Sequence, residues 1–86
     1  MSENTENTDQ KVVVYCRSWC GDCRRALRWL DSLGVDYEVI DIEEQPEYAD
    51  NVRAIAGKIV TPTFEIGDDT CVDFDEPRLR VLLGVK

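Results

Sequence analysis

The apolar and polar positions along the chain predict four strands, at residues 12–15, 35–42, 63–66 and 70–74. The first of these, Val12 to Tyr15, is an unbroken β-branched and aromatic run, the pattern of a strand covered on both faces. The last two strands flank Gly67-Asp68-Asp69, a hairpin signal, so we expect them to pair antiparallel.

Three further segments have the spacing of amphipathic helices. The first carries an apolar stripe made of Ala26, Leu27, Leu30 and Leu33. The second runs from Pro46 to Gly57, and the third from about Asp75 or Pro77 to Leu83. One helix separates the first two strands, which makes that unit parallel and right-handed. The order βαβαββα therefore predicts an α/β fold with a four-stranded mixed sheet flanked by three helices.

The 86 residues are enough for one domain with a single modest core. Residues 1–10 contain nothing apolar to bury after Met1 and predict a disordered tail, so the domain spans residues 11–86. No apolar run is long enough for a transmembrane helix, and the first residues lack the basic and apolar regions of a signal peptide. We therefore expect a cytoplasmic protein, in which paired cysteines indicate redox or metal chemistry rather than a structural disulfide.

The net charge of −8 argues against nucleic acid and anionic membranes as partners. The charge is unevenly distributed. Seven acids lie between Asp36 and Asp50, whereas four arginines surround two of the cysteines: Arg17, Arg24, Arg25 and Arg28. A local positive field of this kind favours a thiolate and an anionic thiol partner. Arginines on an exposed helix face also serve solubility alone, and both roles remain open for Arg25 and Arg28.

Cys20 and Cys23 stand three residues apart, where the first strand gives way to the first helix. This spacing brings both sulfurs to bonding distance. The first turn of a helix leaves backbone N–H groups without partners and carries about half a positive charge, so a sulfur placed there ionises more easily. We expect Cys20, at the N-cap, to be the nucleophile. Cys23 lies one turn further in and is expected to resolve the mixed disulfide that Cys20 forms.

The order of the elements, the motif Cys20-Gly21-Asp22-Cys23 after a strand and Thr61-Pro62 before another strand together resemble a glutaredoxin of the thioredoxin superfamily. The resemblance extends from Lys11 to Lys86 and implies a thioredoxin fold. It implies a monomeric dithiol oxidoreductase that reduces protein disulfides or glutathione mixed disulfides, with no metal and no required cofactor. The implied partners are disulfide-containing client proteins and a reductant, either glutathione or thioredoxin reductase.

The resemblance also assigns substrate-binding roles to Arg17, Trp19, Thr61, Pro62 and Asp75. Pro62 takes the place of a cis-proline that faces the active site, although it is also consistent with an ordinary edge-strand proline. Thr61 would offer backbone hydrogen bonds to a bound thiol substrate. Arg17 takes the place of a lysine that binds the glycyl carboxylate of glutathione, and Asp75 that of a group at the γ-glutamyl end.

Some residues depart from the usual glutaredoxin pattern. Val72-Asp73 replaces a Gly-Gly pair, and side chains there narrow the groove for glutathione. Trp19-Cys20-Gly21 is similar to the thioredoxin motif Trp-Cys-Gly-Pro-Cys. That similarity favours an electron donor reduced by thioredoxin reductase, with Trp19 as an exposed docking surface.

Two alternatives involve metal. Gly21 stands where most glutaredoxins have proline, a departure found in glutaredoxins that hold a [2Fe–2S] cluster with glutathione as a ligand. A zinc site built from all four cysteines is less favoured, because the chain has no histidine and no second CxxC. Cys16 and Cys71 are instead interpreted as small buried hydrophobes.

Overall fold

The structure is a computed structural model that describes residues 11–85; the predicted tail, residues 1–10, lies outside the described residues. The strands are β1 (Val12–Cys16), β2 (Glu38–Asp41), β3 (Thr63–Ile66) and β4 (Asp69–Val72). The α-helices are α1 (Gly21–Leu33), α2 (Ala49–Ala56) and α3 (Glu76–Leu83). The predicted order of strands and α-helices is confirmed.

The four strands form one mixed sheet in the order β2-β1-β3-β4. β1 pairs with β2 in parallel and with β3 antiparallel, and the β3–β4 hairpin is antiparallel, as predicted. Tyr15 in β1 lies opposite Thr63 in β3. Because β1 ends near where β3 begins, the loop after β1 and the loop before β3 meet at one edge of the sheet.

Alternation along β1 places its side chains on two opposite faces of the sheet. On one face a core cluster unites β1, β3 and β4 with α1 and α3, and its members are Val12, Val14, Cys16, Cys23, Ala26, Leu30, Phe64, Ile66, Cys71, Leu79 and Leu83. On the other face, Val13 and Tyr15 pack with β2 and with Val52 of α2. Every residue of β1 is buried, as its unbroken apolar run predicted. None of the helices within residues 11–85 combines the length and apolar character needed to cross a membrane.

The second strand is shorter than predicted. It covers Glu38–Asp41 rather than residues 35–42, because Val35 and Tyr37 follow the end of α1 and bond back to it. The Val35 N–H donates to the Leu30 carbonyl (3.2 Å), and the Tyr37 hydroxyl donates to Asp31 (2.7 Å). Both side chains pack against the core cluster of α1 and α3. These contacts hold the segment against the helix instead of in the sheet.

Two other boundaries also differ from the prediction. Pro46 opens a 3₁₀ turn, Pro46–Tyr48, and the α-helix begins only at Ala49. The last strand ends at Val72 rather than at residue 74, because Asp73 has a left-handed backbone with φ +69°. A residue in that conformation cannot continue an extended strand.

Candidate active site

Cys20 is the N-cap of α1, as predicted. Its backbone is extended (φ −84°, ψ 114°), and its sulfur accepts a hydrogen bond from the Cys23 N–H at 3.4 Å. A helix N-cap side chain satisfies an N–H group that otherwise has no partner, and here a sulfur does so. The side chain of Cys20 is half-buried, so its sulfur is reachable from solvent. This geometry suits a nucleophilic thiol at a helix start.

The loop before β3 lies against Cys20. The Cys20 thiol donates to the backbone carbonyl of Thr61 at 3.5 Å, and the peptide bond between Thr61 and Pro62 is cis. Both loop residues are buried. The two loops that the sheet topology brings to one edge therefore form a single site, in which Thr61 presents its carbonyl to the Cys20 sulfur.

Arg17 and Trp19 form the exposed border of this site. The Arg17 Nε donates to Thr61 Oγ1 at 3.1 Å, and the Arg17 guanidinium lies 4.5 Å from the centre of the Trp19 ring. Trp19 is 61% exposed, as a docking surface requires. Its Nε1 donates to Glu43 at 3.0 Å. Glu43 was not singled out from the sequence, since nothing in an acid-rich segment distinguishes one glutamate from its neighbours.

Cys23 is buried beneath Cys20, with only 2% of its surface exposed. Cys16, the last residue of β1, belongs to the same buried core cluster. The hydrogen bond from the Cys16 thiol lowers the pKa of Cys23 to about 6, although burial acts in the opposite direction. The same contact, together with burial, raises the pKa of Cys16 far above its usual range. Cys23 therefore has the shielded position expected of a resolving thiol.

The arginines of α1 divide into two groups. Arg24 donates to the Ser18 carbonyl at 3.2 Å and so supports the loop that carries Cys20. Arg25 pairs with Asp22. Together with Arg28 it lines an open surface pocket of about 400 Å³, whose other lining residues are Trp29, Phe74 and Glu76. Arg24 thus contacts the loop before α1, and Arg17, which lies in that loop, contacts the loop before β3.

Asp75 makes its contacts within its own segment. Its carboxylate accepts from the Arg78 N–H at 3.3 Å and caps α3. Its backbone N–H donates to the Asp73 carbonyl at 3.0 Å. The Asp73 carboxylate also accepts from the Phe74 N–H at 2.8 Å. The backbone groups that the resemblance associates with the γ-glutamyl end are therefore bonded to Asp73.

Within residues 11–85, no three or more His, Cys, Asp or Glu side chains are grouped so that they could hold a metal ion. The zinc alternative gains no support from this arrangement. All four cysteines are free thiols in the structure.

The family model named Glutaredoxin matches residues 12–71. The chain belongs to the glutaredoxin family. The matched glutaredoxin region contains both active-site cysteines and the Thr61-Pro62 loop and ends before Asp75. α3 therefore lies beyond the matched region.

Two curated glutaredoxin relatives are similar over most of this chain. Monothiol glutaredoxin-S8 from Oryza sativa subsp. japonica is 39% identical over 64 residues, 73% of this chain and 56% of its own length. This glutaredoxin-like chain thus matches little more than half of that relative. Mycoredoxin 1 from Corynebacterium glutamicum is 33% identical over 60 residues, 69% of this chain and 73% of its own length.

Among solved structures, the glutaredoxin-like protein NrdH-redoxin from Escherichia coli is similar, with a TM-score of 0.76 and 26% identity. The similarity covers 84% of this chain and 93% of that chain. The predicted thioredoxin fold is therefore confirmed. Glutaredoxin and NrdH-redoxin homologues are thiol-disulfide oxidoreductases, so the predicted enzyme class is confirmed at the level of the glutaredoxin family.

Proposed function

We propose that this glutaredoxin-like protein reduces disulfide bonds in proteins by a dithiol cycle. One observation carries the proposal: the sulfur of the partly buried Cys20 caps α1 by accepting the Cys23 N–H at 3.4 Å, while Cys23 lies buried behind it. A reachable sulfur and a shielded sulfur one helical turn away are what a two-step exchange requires. The reduction takes place in a reducing cytoplasm, where the pair is regenerated.

In the first step the Cys20 thiolate attacks one sulfur of a substrate disulfide and releases the other as a thiolate. The product is a mixed disulfide between Cys20 and the substrate. In the second step the Cys23 thiolate attacks the Cys20 sulfur, the reduced substrate leaves, and the two cysteines become a disulfide. An external thiol or dithiol then donates two electrons and restores both thiols. The carbonyl of Thr61, 3.5 Å from the Cys20 sulfur, supports a role in aligning the substrate at that sulfur.

Trp19 supports a protein as the substrate. Its ring is held flat under the Arg17 guanidinium at 4.5 Å and fixed by the hydrogen bond to Glu43, yet 61% of it is exposed. A rigid, exposed aromatic side chain next to the reactive sulfur gives a partner protein contact area at little entropic cost.

The surroundings of Asp73 favour a protein reductase over glutathione as the reductant. The resemblance to glutaredoxins implies that backbone groups near Phe74 bind the γ-glutamyl end of glutathione. Here the N–H groups of Phe74 and Asp75 donate to Asp73, at 2.8 and 3.0 Å. Glutathione would have to displace those hydrogen bonds, and the exposed side chain of Val72 lies beside them. NrdH-redoxin from Escherichia coli is described as having a thioredoxin-like activity profile, which supports this choice.

The cluster-carrier alternative depends on glutathione as a ligand and so meets the same obstacle at Asp73. Gly21 does leave open space, since a Cβ added there would meet no atom within 4 Å. Visible absorbance of anaerobically purified protein, recorded with and without glutathione, tests this alternative.

The reductant is tested by mixing the oxidised protein with glutathione or with NADPH and thioredoxin reductase, and following the Cys20 and Cys23 thiols by labelling and mass spectrometry. We expect rapid reduction by the reductase and slow reduction by glutathione. Rapid reduction by glutathione alone would overturn the choice of reductant while leaving the dithiol cycle intact. Failure of both reductants to open the disulfide would contradict the proposed function itself.

A further inference from the structure

We propose that the pocket between α1 and the start of α3 is a specificity subsite for an acidic, aromatic segment of the client protein, and that Arg28 is the charge that selects this segment. The inference deepens the proposed reduction of protein disulfides and rests on it. Sequence analysis leaves two roles open for Arg28, solubility or an anionic partner, and the dithiol cycle requires neither. The side chains of Arg17, Thr61, Pro62 and Asp75, to which the resemblance assigns substrate binding, do not line this pocket.

Two aromatic rings from different segments form the apolar part of the pocket. Trp29 of α1 and Phe74, which precedes α3, meet edge to face with their ring centres 5.7 Å apart. Both side chains are half-buried against the core cluster, which holds them in place while part of each remains exposed. The Arg80 guanidinium lies 5.6 Å from the centre of the Trp29 ring. The pocket thus offers a partner a preformed aromatic surface at little entropic cost.

The charges around the pocket leave Arg28 as its unpaired cation. Glu76, the acid that lines the pocket, is held by Arg80 at 2.7 Å, and Arg25 pairs with Asp22. Arg28 is exposed and forms no hydrogen bond or ion pair within the part of the chain that the structure describes. The pocket is therefore positively charged, although the whole chain has a net charge of −8. This charge favours a carboxylate as the polar group of the occupant.

The pocket lies within reach of a client that is joined to Cys20. Arg28 follows Cys20 by eight residues, which places it about 12 Å further along α1 and about a quarter-turn around the helix. An extended peptide covers that distance in about four residues. A client segment bound through its cysteine therefore brings residues about three or four positions away to the pocket. There an aromatic ring packs on Trp29 and Phe74 while a carboxylate pairs with Arg28.

The aromatic part of the pocket favours a protein segment over glutathione as the occupant. Glutathione carries two carboxylates, but it has no apolar side chain to cover the rings of Trp29 and Phe74. A peptide with adjacent aromatic and acidic residues matches both the rings and the charge of Arg28. The pocket volume of about 400 Å³ is large enough for such a pair of side chains.

The test uses disulfide-linked dimers of capped peptides, which the full reduced chain reduces in a single turnover while chromatography follows the loss of the peptide disulfide. The first peptide has Phe three residues and Glu four residues from its cysteine on both sides, so that chain direction does not matter. Two matched peptides replace only Glu by Gln or only Phe by Ala. Wild type should reduce the first peptide about three- to fivefold faster than either matched peptide, the effect of one surface contact.

Arg28→Gln should lose the preference for Glu over Gln, because it removes the cation that pairs with the client carboxylate. Arg53→Gln is the matched control: Arg53 is an exposed arginine of α2, on the other face of the sheet, paired with Asp50 at 2.8 Å. It loses the same charge and should keep the wild-type preference. Arg28→Glu should instead prefer a peptide with Lys in place of Glu, which a purely structural role of Arg28 does not predict. An unchanged preference in Arg28→Gln, or equal slowing of all peptides, overturns the inference.

A small disulfide separates this inference from the proposed cycle. Bis-hydroxyethyl disulfide reaches Cys20 without entering the pocket, so wild type and Arg28→Gln should reduce it at the same rate. Equal rates for all peptides in wild type would overturn the inference and leave the dithiol cycle intact. Slower reduction of Arg28→Gln by glutathione, with an unchanged peptide preference, would assign the pocket to glutathione and also overturn it. Failure of wild type to reduce any of the peptides would overturn the proposed function, and this inference with it.

Discussion

The Arg17 Nε donates a hydrogen bond to Thr61 Oγ1 over 3.1 Å, and this contact joins the loop that precedes α1 to the loop that precedes β3. One loop carries the Cys20 sulfur, and the other presents the Thr61 carbonyl to it at 3.5 Å. Arg17 is half-buried and Thr61 is buried, so water competes weakly for this hydrogen bond. Arg17 therefore helps to align the two halves of the site.

A double-mutant cycle tests that alignment. Arg17→Met keeps the apolar stem beside Trp19 but removes the donor, and Thr61→Val removes the acceptor. We expect each change to slow disulfide reduction several-fold and the pair to show a coupling of about 1 kcal/mol in the free energy of unfolding. Arg24→Met, which loses only an exposed bond to the Ser18 carbonyl, serves as the control. Strictly additive effects of the two changes would contradict the alignment role.

Asp73 is predicted to limit the use of glutathione. Replacement by glycine relieves a left-handed backbone with φ +69° and removes the carboxylate that accepts from the Phe74 N–H, whereas the Asp75 N–H keeps its bond to the carbonyl of residue 73. We expect Asp73→Gly to be reduced faster by glutathione, with no change in reduction by the reductase. Asp73→Asn keeps both a side-chain acceptor and tolerance of this backbone, so it should behave like wild type. Asp73→Gly and Asp73→Asn with equal glutathione rates would argue against this role.

Trp19 is predicted to bind proteins rather than small disulfides. Removing its ring in Trp19→Ala should raise KM for a protein disulfide about tenfold, since exposed aromatic anchors contribute on the order of 1–2 kcal/mol to an interface. The rate with bis-hydroxyethyl disulfide should stay near that of wild type. Glu43→Gln removes a charge beside the ring but keeps an acceptor for the Trp19 Nε1, so it should behave like wild type and serves as the control. A similar loss with both substrates would contradict a docking role.

The lowered pKa of Cys23 predicts that the stability of the reduced protein depends on pH. The Cys16 hydrogen bond sets that pKa at about 6, against an ordinary value of 9.0. Between these values the unfolded chain holds a proton that the folded chain has lost, so the free energy of unfolding rises with pH. Above pH 9 the raised pKa of Cys16 acts in the opposite direction.

Because the chain has no histidine, few other groups titrate between about pH 6 and pH 9. Urea unfolding at these two pH values, in the presence of a reductant, measures the effect. Wild type should gain more stability than Cys23→Ala over this range. The same pH dependence in both proteins would show that Cys23 is not ionised in the folded state.

Much of the fold was predictable because local signals and packing agree in most elements. The apolar run of β1, the Gly67 turn and the cysteine at the start of α1 each predict one structure, and the structure has it. Val35 and Tyr37 were wrongly placed in a strand because their alternation also fits a segment that packs against α1. β4 is shorter than predicted because Asp73 has a left-handed backbone. A sequence indicates that conformation clearly only where the residue is glycine.

The candidate site divides in the same way. Cys20 and Cys23 were identifiable because their CxxC spacing and their place at the start of a helix both indicate a redox pair. Contacts between distant segments were not identifiable: nothing local marks Glu43 as a partner of Trp19 or Thr61 as a partner of Arg17.

The central claim, that Cys20 attacks and Cys23 resolves, is tested most directly by trapping the mixed disulfide. Reduced Cys23→Ser is mixed with oxidised insulin, and the adduct is isolated on a non-reducing gel and mapped by mass spectrometry. We expect a covalent adduct at Cys20 in this variant, steady turnover without an adduct in wild type, and neither in Cys20→Ser. An adduct at any cysteine other than Cys20, or turnover by Cys20→Ser, would contradict it.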